Sequence, residues 1–340
     1  MNKFIKVVLI IAAVCAGVGV LLCGVGTISG VSMMDVKSKL KIEEKNILGH
    51  SGAEAVTATE SDYGFDHGLD AKPGNIFQKF AAWVEDAADT VSLNSDNYDG
   101  SWINGSNVTR EDYSYDGSKV RNLDISLYAG SLTLEESDTE DVRVVVYYKN
   151  AAVNCDMNEE TLKLKEEKKR YSKKHRVAVT LYLPKDIRLK TLNIDAGAGQ
   201  VTSDLDQLAA ENAKIAVGAG EAVFDALKVT DLLEVTVQAG SIDLSDTYTK
   251  DLSLDCGVGE LVYQGGTTGD LTGNSGVGSL ELDLDGKPSD YNYSLSCGVG
   301  SIDIEDETYS GLGAEKDIDH DADKDMSLDC GVGSITVDFD

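Results

Sequence analysis

A twelve-residue pattern recurs eight times within residues 123–337, and no other feature of this 340-residue chain constrains its fold as tightly. The first copy reads LDISLYAGSLTL and the last MSLDCGVGSITV. Each copy turns on one glycine: Gly130, Gly199, Gly220, Gly240, Gly259, Gly278, Gly300 or Gly333. From Gly199 to Gly300 these glycines are 21, 20, 19, 19 and 22 residues apart, a regularity that loops do not keep. The longer gaps before Gly199 and after Gly300 are insertions.

Aligned on that glycine, the residue before it is Ala or Val in every copy, and the residue two places after it is always apolar. The position five before it is apolar in all copies but one, which has Gly273. Polar residues fill the alternate places, so each copy is two short strands meeting at a bend. One such unit cannot bury its inner face alone. Neighbouring copies must stack, each adding a rung about 4.8 Å high, and eight rungs rise about 38 Å. Six copies carry a second glycine two residues earlier, and such a corner is expected to use backbone conformations that a Cβ disfavours. The predicted fold is therefore all-β, a β-solenoid of about eight two-strand rungs over residues 116–340. It carries a hairpin insertion near 150–180 and an acidic insertion near 308–325. A dinucleotide-binding reading of Gly-x-Gly fails, because no third glycine follows and a strand rather than a helix comes next.

The rest of the chain is organised differently. No charge occurs between Lys6 and Asp35, and residues 7–28 would span about 33 Å as a helix, enough to cross a bilayer. Residues 1–34 are thus expected to be a single-pass anchor with a short cytoplasmic tail, contacting lipid through residues 7–28. This apolar run is longer than that of a cleaved signal peptide. Residues 35–115 read as a stalk. Within it, near 75–91, Phe77, Phe80, Val84, Ala88 and Val91 recur at helical spacing, which predicts one amphipathic helix.

The Leu-x-Leu-Asp-Cys-Gly-Val-Gly-Ser-Ile-x-Val cadence, together with an amino-terminal membrane helix, resembles the bacterial toastrack domains, also labelled "putative adhesins". The resemblance covers residues 116–340. It implies a β-solenoid on the outer face of a bacterial cell membrane, in a family of unknown function often grouped with envelope-stress signalling proteins. It implies no catalytic residues.

The chain has 59 acidic and 30 basic residues, and a net charge of −29 opposes nucleic-acid binding, which needs Lys and Arg in excess. Two acidic groups are candidate calcium ligands, since calcium takes six to eight oxygens. One is Glu281 and Asp283 on one rung beside Asp303 and Glu305 on the next; the other is Asp317, Asp319, Asp321 and Asp323 in the last insertion. A solvated acidic face is the simpler reading of both. Residues 163–176 reverse the sign with eight basic against two acidic residues, and are expected at a β-hairpin tip that could meet a phosphate-rich wall polymer or headgroups. Cys256, Cys297 and Cys330 share one rung position and read as a ladder of small buried side chains rather than disulfides or metal ligands. The four histidines form no nucleophile–base arrangement with Ser, Cys or Asp in the sequence.

These features predict a protein that is not an enzyme: a membrane-anchored surface solenoid acting as an adhesin or envelope scaffold through a cell-wall polymer or surface ligand. An accessory sensor with a membrane signalling partner is the alternative, and a calcium-dependent glycan-active enzyme is a more remote one. The last rung, ending at Asp340, is expected to leave an edge open to self-association unless residues 308–325 fold back over it.

Overall fold

The computed structural model describes residues 101–167, 175–311 and 313–340. The expected anchor, the stalk helix and most of the basic tip lie outside these residues. The described part is all-β. Its strands are β1 (Thr109–Asp116), β2 (Asn122–Ser137), β3 (Asp141–Lys149), β4 (Val153–Asn158), β5 (Thr161–Glu166), β6 (Arg176–Pro184), β7 (Arg188–Asp204), β8 (Leu208–Val217), β9 (Glu221–Asp225), β10 (Leu227–Val229), β11 (Leu232–Thr249), β12 (Asp251–Thr267), β13 (Leu271–Ser275), β14 (Ser279–Leu284), β15 (Tyr291–Cys297), β16 (Ser301–Ile304), β17 (Glu307–Ser310), β18 (Ala314–Ile318), β19 (Lys324–Cys330) and β20 (Ser334–Phe339).

Each repeat forms a rung, and the rungs pair in parallel. The inward position five before the corner glycine makes one unbroken column, Ile125, Ile194, Ile215, Val235, Leu254, Gly273, Leu328 and Leu295, each paired with the next. Gly273 breaks the apolar rule because its space is taken: a Cβ there would lie 2.9 Å from both Leu280 Cδ2 and Leu328 Cδ2. The facing sheet contributes Leu132, Val201, Ile242, Leu261, Leu280 and Ile335, all at most 1% exposed. A buried Leu or Ile is worth about 1.5–3 kcal/mol, so the narrow core between the two sheets carries the stability of the stack. Midway along, a short third side appears, where β10 pairs with the start of β8 and the end of β11.

The stack differs from the sequence expectation in three ways. First, the described residues form nine rungs. The segments TLKLKE and RVAVTLYLP are not two arms of one hairpin: β5 and β6 pair in parallel with the two halves of β2 and so form a rung of their own. The hairpin in this insertion is β4–β5, turning at Glu159 and Glu160. Second, the rungs do not stack in chain order. Their order in space is β5/β6, β2, β7, β8/β9, β11, β12, β13/β14, β19/β20, β15/β16. The last rung in the chain is inserted between the sixth and seventh copies of the repeat. Third, the last rung in the chain is therefore paired on both sides rather than left as an open edge. The rung at one end of the stack is β15/β16, and β18 and β17 cover it in antiparallel pairing, so residues 307–318 do fold back, but over a different rung. The rung at the opposite end is covered likewise, with β4 on β5 and β3 on β6.

The corner glycines form a column whose cause is proximity rather than backbone angle. Among the eight, Gly259 alone has a φ in the region that favours glycine, +151°. A Cβ on Gly199, Gly220, Gly240, Gly259 or Gly333 would lie 2.0–2.1 Å from the carbonyl oxygen of the corner glycine one rung away. No side chain fits between backbones stacked that closely. The column also reads out the rung order independently, since Gly333 abuts Gly278 and Gly300 abuts Gly333.

Candidate binding face

The corner amides are satisfied by the neighbouring rung. Gly218 and Ala219 donate to the carbonyls of Ala196 and Gly197, and Gly331 and Val332 to those of Ser275 and Gly276, at 2.6–2.8 Å. The corner of β2 lacks such a neighbour, because the rung beneath it leaves the pattern between β5 and β6. There the Glu166 carboxylate substitutes for the missing carbonyls, accepting from Tyr128 N at 2.8 Å and Ala129 N at 3.0 Å. Its second oxygen meets His175 Nε2, while His175 Nδ1 lies 3.3 Å from the Asn150 carbonyl oxygen. A carbonyl only accepts, so Nδ1 donates there, and the protonated ring donates from Nε2 to the carboxylate as well. Burial pulls the His175 pKa down, but the Glu166 carboxylate and the Asn150 carbonyl outweigh it and hold the pKa above its ordinary value. Both side chains are buried, at 1% for Glu166 and 9% for His175. The pair is turned into the stack and serves its architecture.

The four cysteines of the described region are buried and free. Along the stack Val237, Cys256, Ser275, Cys330 and Cys297 form one inward column. Burial pushes the Cys256 thiol up to about 12 and raises that of Cys330. These are packing residues with little thiolate at neutral pH.

The candidate calcium ligands do not assemble as expected. Because β20 runs between β14 and β16, Thr336 separates Glu281 from Asp303, which places these carboxylates about two strand spacings, or about 9.6 Å, apart along the stack. Asp283 faces Asp338 instead and accepts from Gln264 Nε2 at 2.8 Å. Asp303 accepts from Ser301 Oγ, and Glu305 caps Phe339 N at 2.8 Å. In the last insertion Asp317 accepts from Ser294 Oγ and Asp319 from Asp321 N; Asp317, Asp319, Asp321 and Asp323 are all exposed. Among the described residues no group of three or more His, Cys, Asp or Glu is placed to hold a metal ion. Millimolar calcium is accordingly expected to move the melting temperature of the chain no further than equimolar magnesium. A calcium-specific rise of more than a few degrees would restore one of these clusters as a site.

What the rung order does assemble is a polar face on the opposite sheet. Ser253, Thr272, Ser327 and Ser294 pair in register across four consecutive rungs. Beside them runs a second row, Asp255, Asn274, Asp329 and Ser296. At about 4.8 Å per rung each row is about 14 Å long. All eight side chains are short, they carry hydroxyl, amide and carboxylate groups, and they alternate with the buried core positions. The result is a regular lattice of donors and acceptors fixed by the backbone register. In chain order Ser327 comes last, so these rows are not visible until β19 is placed between β13 and β15.

Comparison with solved structures gives matches that include three bacterial proteins. A "putative adhesin" from Bacteroides fragilis is 15% identical with a TM-score of 0.37, covering 67% of this chain and 96% of its own. Another "putative adhesin", from Parabacteroides merdae, is 13% identical with a TM-score of 0.36, covering 68% and 96%. A "putative cell adhesion protein" from Clostridium sporogenes is 12% identical with a TM-score of 0.29, covering 68% and 100%. Comparison with curated proteins gives no match. The family model described as Toastrack DUF4097 matches residues 120–337, well over half of the chain, and the protein belongs to that family.

Proposed function

We propose that this protein is a non-enzymatic binding module of the bacterial cell envelope, an adhesin or scaffold held to the membrane through residues 7–28 with its solenoid outside the cell. The observation that carries the reading is the in-register lattice of Ser253, Thr272, Ser327 and Ser294 beside Asp255, Asn274, Asp329 and Ser296. A rigid sheet that repeats hydrogen-bonding groups about every 4.8 Å suits an extended, hydroxyl-rich polymer better than a small substrate, which needs a concave site. The absence of nucleophile–base patterning in the sequence and the inward engagement of Glu166 and His175 support binding over chemistry. The test uses the full chain reconstituted in liposomes and purified cell-wall polysaccharide. Retention is expected for the unaltered chain, with at least a tenfold loss on Thr272→Arg combined with Ser327→Arg, two exposed positions whose substitution leaves the core untouched. Equal retention of both chains would exclude this face. Absence of retention for either would favour the sensor reading, in which the solenoid works through a membrane partner.

A further inference from the structure

The insertion of β19/β20 has a consequence for how copies of this chain meet. The slot between β13/β14 and β15/β16 is lined on both sides by strand edges in the same parallel register. Leu271 and Tyr293 both pair with Met326, Ser275 and Cys297 both pair with Cys330, and Leu280 and Ile302 both pair with Ile335. Without its occupant the slot would present two rows of unpaired backbone groups facing each other, a template for one further rung of this sequence pattern.

The occupant reaches the slot by a detour. After β16 the chain runs along the outside of the terminal rung as β17 and β18, and residues 319–323 then cross over β15 to start β19 behind it. The Asn292 amide is the centre of the contacts that fasten that crossing. Asn292 Nδ2 donates to Ala322 O at 2.9 Å and Asp325 Oδ1 at 3.0 Å, and its Oδ1 accepts from His320 N at 3.0 Å and Ala322 N at 3.1 Å. His320 Nδ1 adds a contact to Tyr291 O at 2.8 Å. The rung is thus a separable element, closed into its own chain by a short polar strap and one amide clamp.

We propose that this rung is exchangeable: two copies of the chain trade residues 324–339, each filling the other's slot, and form a reciprocal dimer for which the Asn292 clamp is the latch. The slot cannot distinguish its own rung from the partner's, because every pairing is the same. Exchange of an identical element through a hinge is a low-cost route to a symmetric dimer, and the strap length decides between the closed and exchanged forms. From Ile318 to Lys324 the strap must cover two strand spacings sideways and two residues along, about 12 Å in all. Without residues 320–322 only three peptide steps remain, which reach about 10–11 Å and cannot close within one chain.

The test uses the full chain in detergent, with molecular mass from light scattering. Deletion of residues 320–322 is expected to give a folded dimer with the sheet signature of the unaltered chain; a folded monomer overturns the proposal. A second variant covers failure of the deletion to fold. Asn292→Ala, refolded at high concentration as a mixture of two differently tagged copies, is expected to show at least fivefold more co-purification of the tags than the unaltered chain. Co-purification no greater than that of the unaltered chain, or co-purification that survives removal of residues 319–340 from both copies, overturns it as well.

Discussion

Replacing Gly220 by alanine is expected to destabilise the solenoid by at least about 4 kcal/mol, in the range reserved for severe core lesions. The added Cβ would lie 2.0 Å from Gly199 O and 2.8 Å from Gly199 N, and both are backbone atoms of the adjacent rung. No rotamer relieves such a contact. The two corners would have to separate by more than 1 Å, which breaks the amide bonds across them, including Ser241 N to Gly220 O at 2.9 Å on the far side. A repeat stack transmits stability through contacts between neighbouring rungs, so a break at its centre uncouples its two halves. Gly313→Ala is the control. Nothing lies within 4 Å of its Cβ position and only its φ of +68° opposes the change, so a loss of about 1 kcal/mol is expected. Urea unfolding of the two variants measures the contrast; comparable losses would mean that conformation rather than proximity selects the corner glycines.

The second large effect is expected at the β2 corner. Glu166→Ala takes the carboxylate acceptor from Tyr128 N, Ala129 N and the His175 ring, and a loss of about 3–5 kcal/mol follows from breaking a buried pair and two amide hydrogen bonds in one step. The pair also sets a pH dependence. The folded-state pKa of His175 is raised, so the folded chain binds more protons than the unfolded chain around neutrality, and stability falls as pH rises. The contribution is fully present below the unfolded histidine value of about 6.5 and is lost as pH climbs through the raised folded value. Glu166→Gln keeps an acceptor for the two amides but removes the charge. It is expected to flatten the stability profile above about pH 6.5 while costing less than the alanine variant. A slope unchanged from that of the unaltered chain would place its origin elsewhere.

Much of this architecture is legible in the residues. The register of eight copies on their glycines predicts the inward column from Ile125 to Leu295, and the one exception, Gly273, sits where Leu280 and Leu328 fill the gap. The ninth rung was within reach too. Leu162 and Leu164 alternate inward along β5, and the same period puts Glu166 inward, the signal that this carboxylate is buried. It is obscured because the rung has no glycine corner and its neighbouring bases suggest an exposed tip. Rung order is different in kind. Gly278 can pair with Gly300 or Gly333 through the same pattern, so nothing in the repeat itself separates the two arrangements. The only hint is the long connection from Gly300 to Gly333. The misplaced carboxylate patch follows from that ambiguity: Glu281 and Asp303 are neighbours in chain order and are parted by Thr336 in space. The hydroxyl row is the same effect in reverse, since Thr272 and Ser294 are bridged by Ser327 from the end of the chain.

The most direct test of the proposed role is protease shaving of intact cells, with a cytosolic protein as control, followed by detection of peptides from residues 101–340. Release of those peptides while the control stays intact is the expected result, with the solenoid and its polar face outside the membrane. Protection of the same peptides until the cells are lysed would contradict the account, because a face enclosed in the cytosol cannot bind a surface polymer.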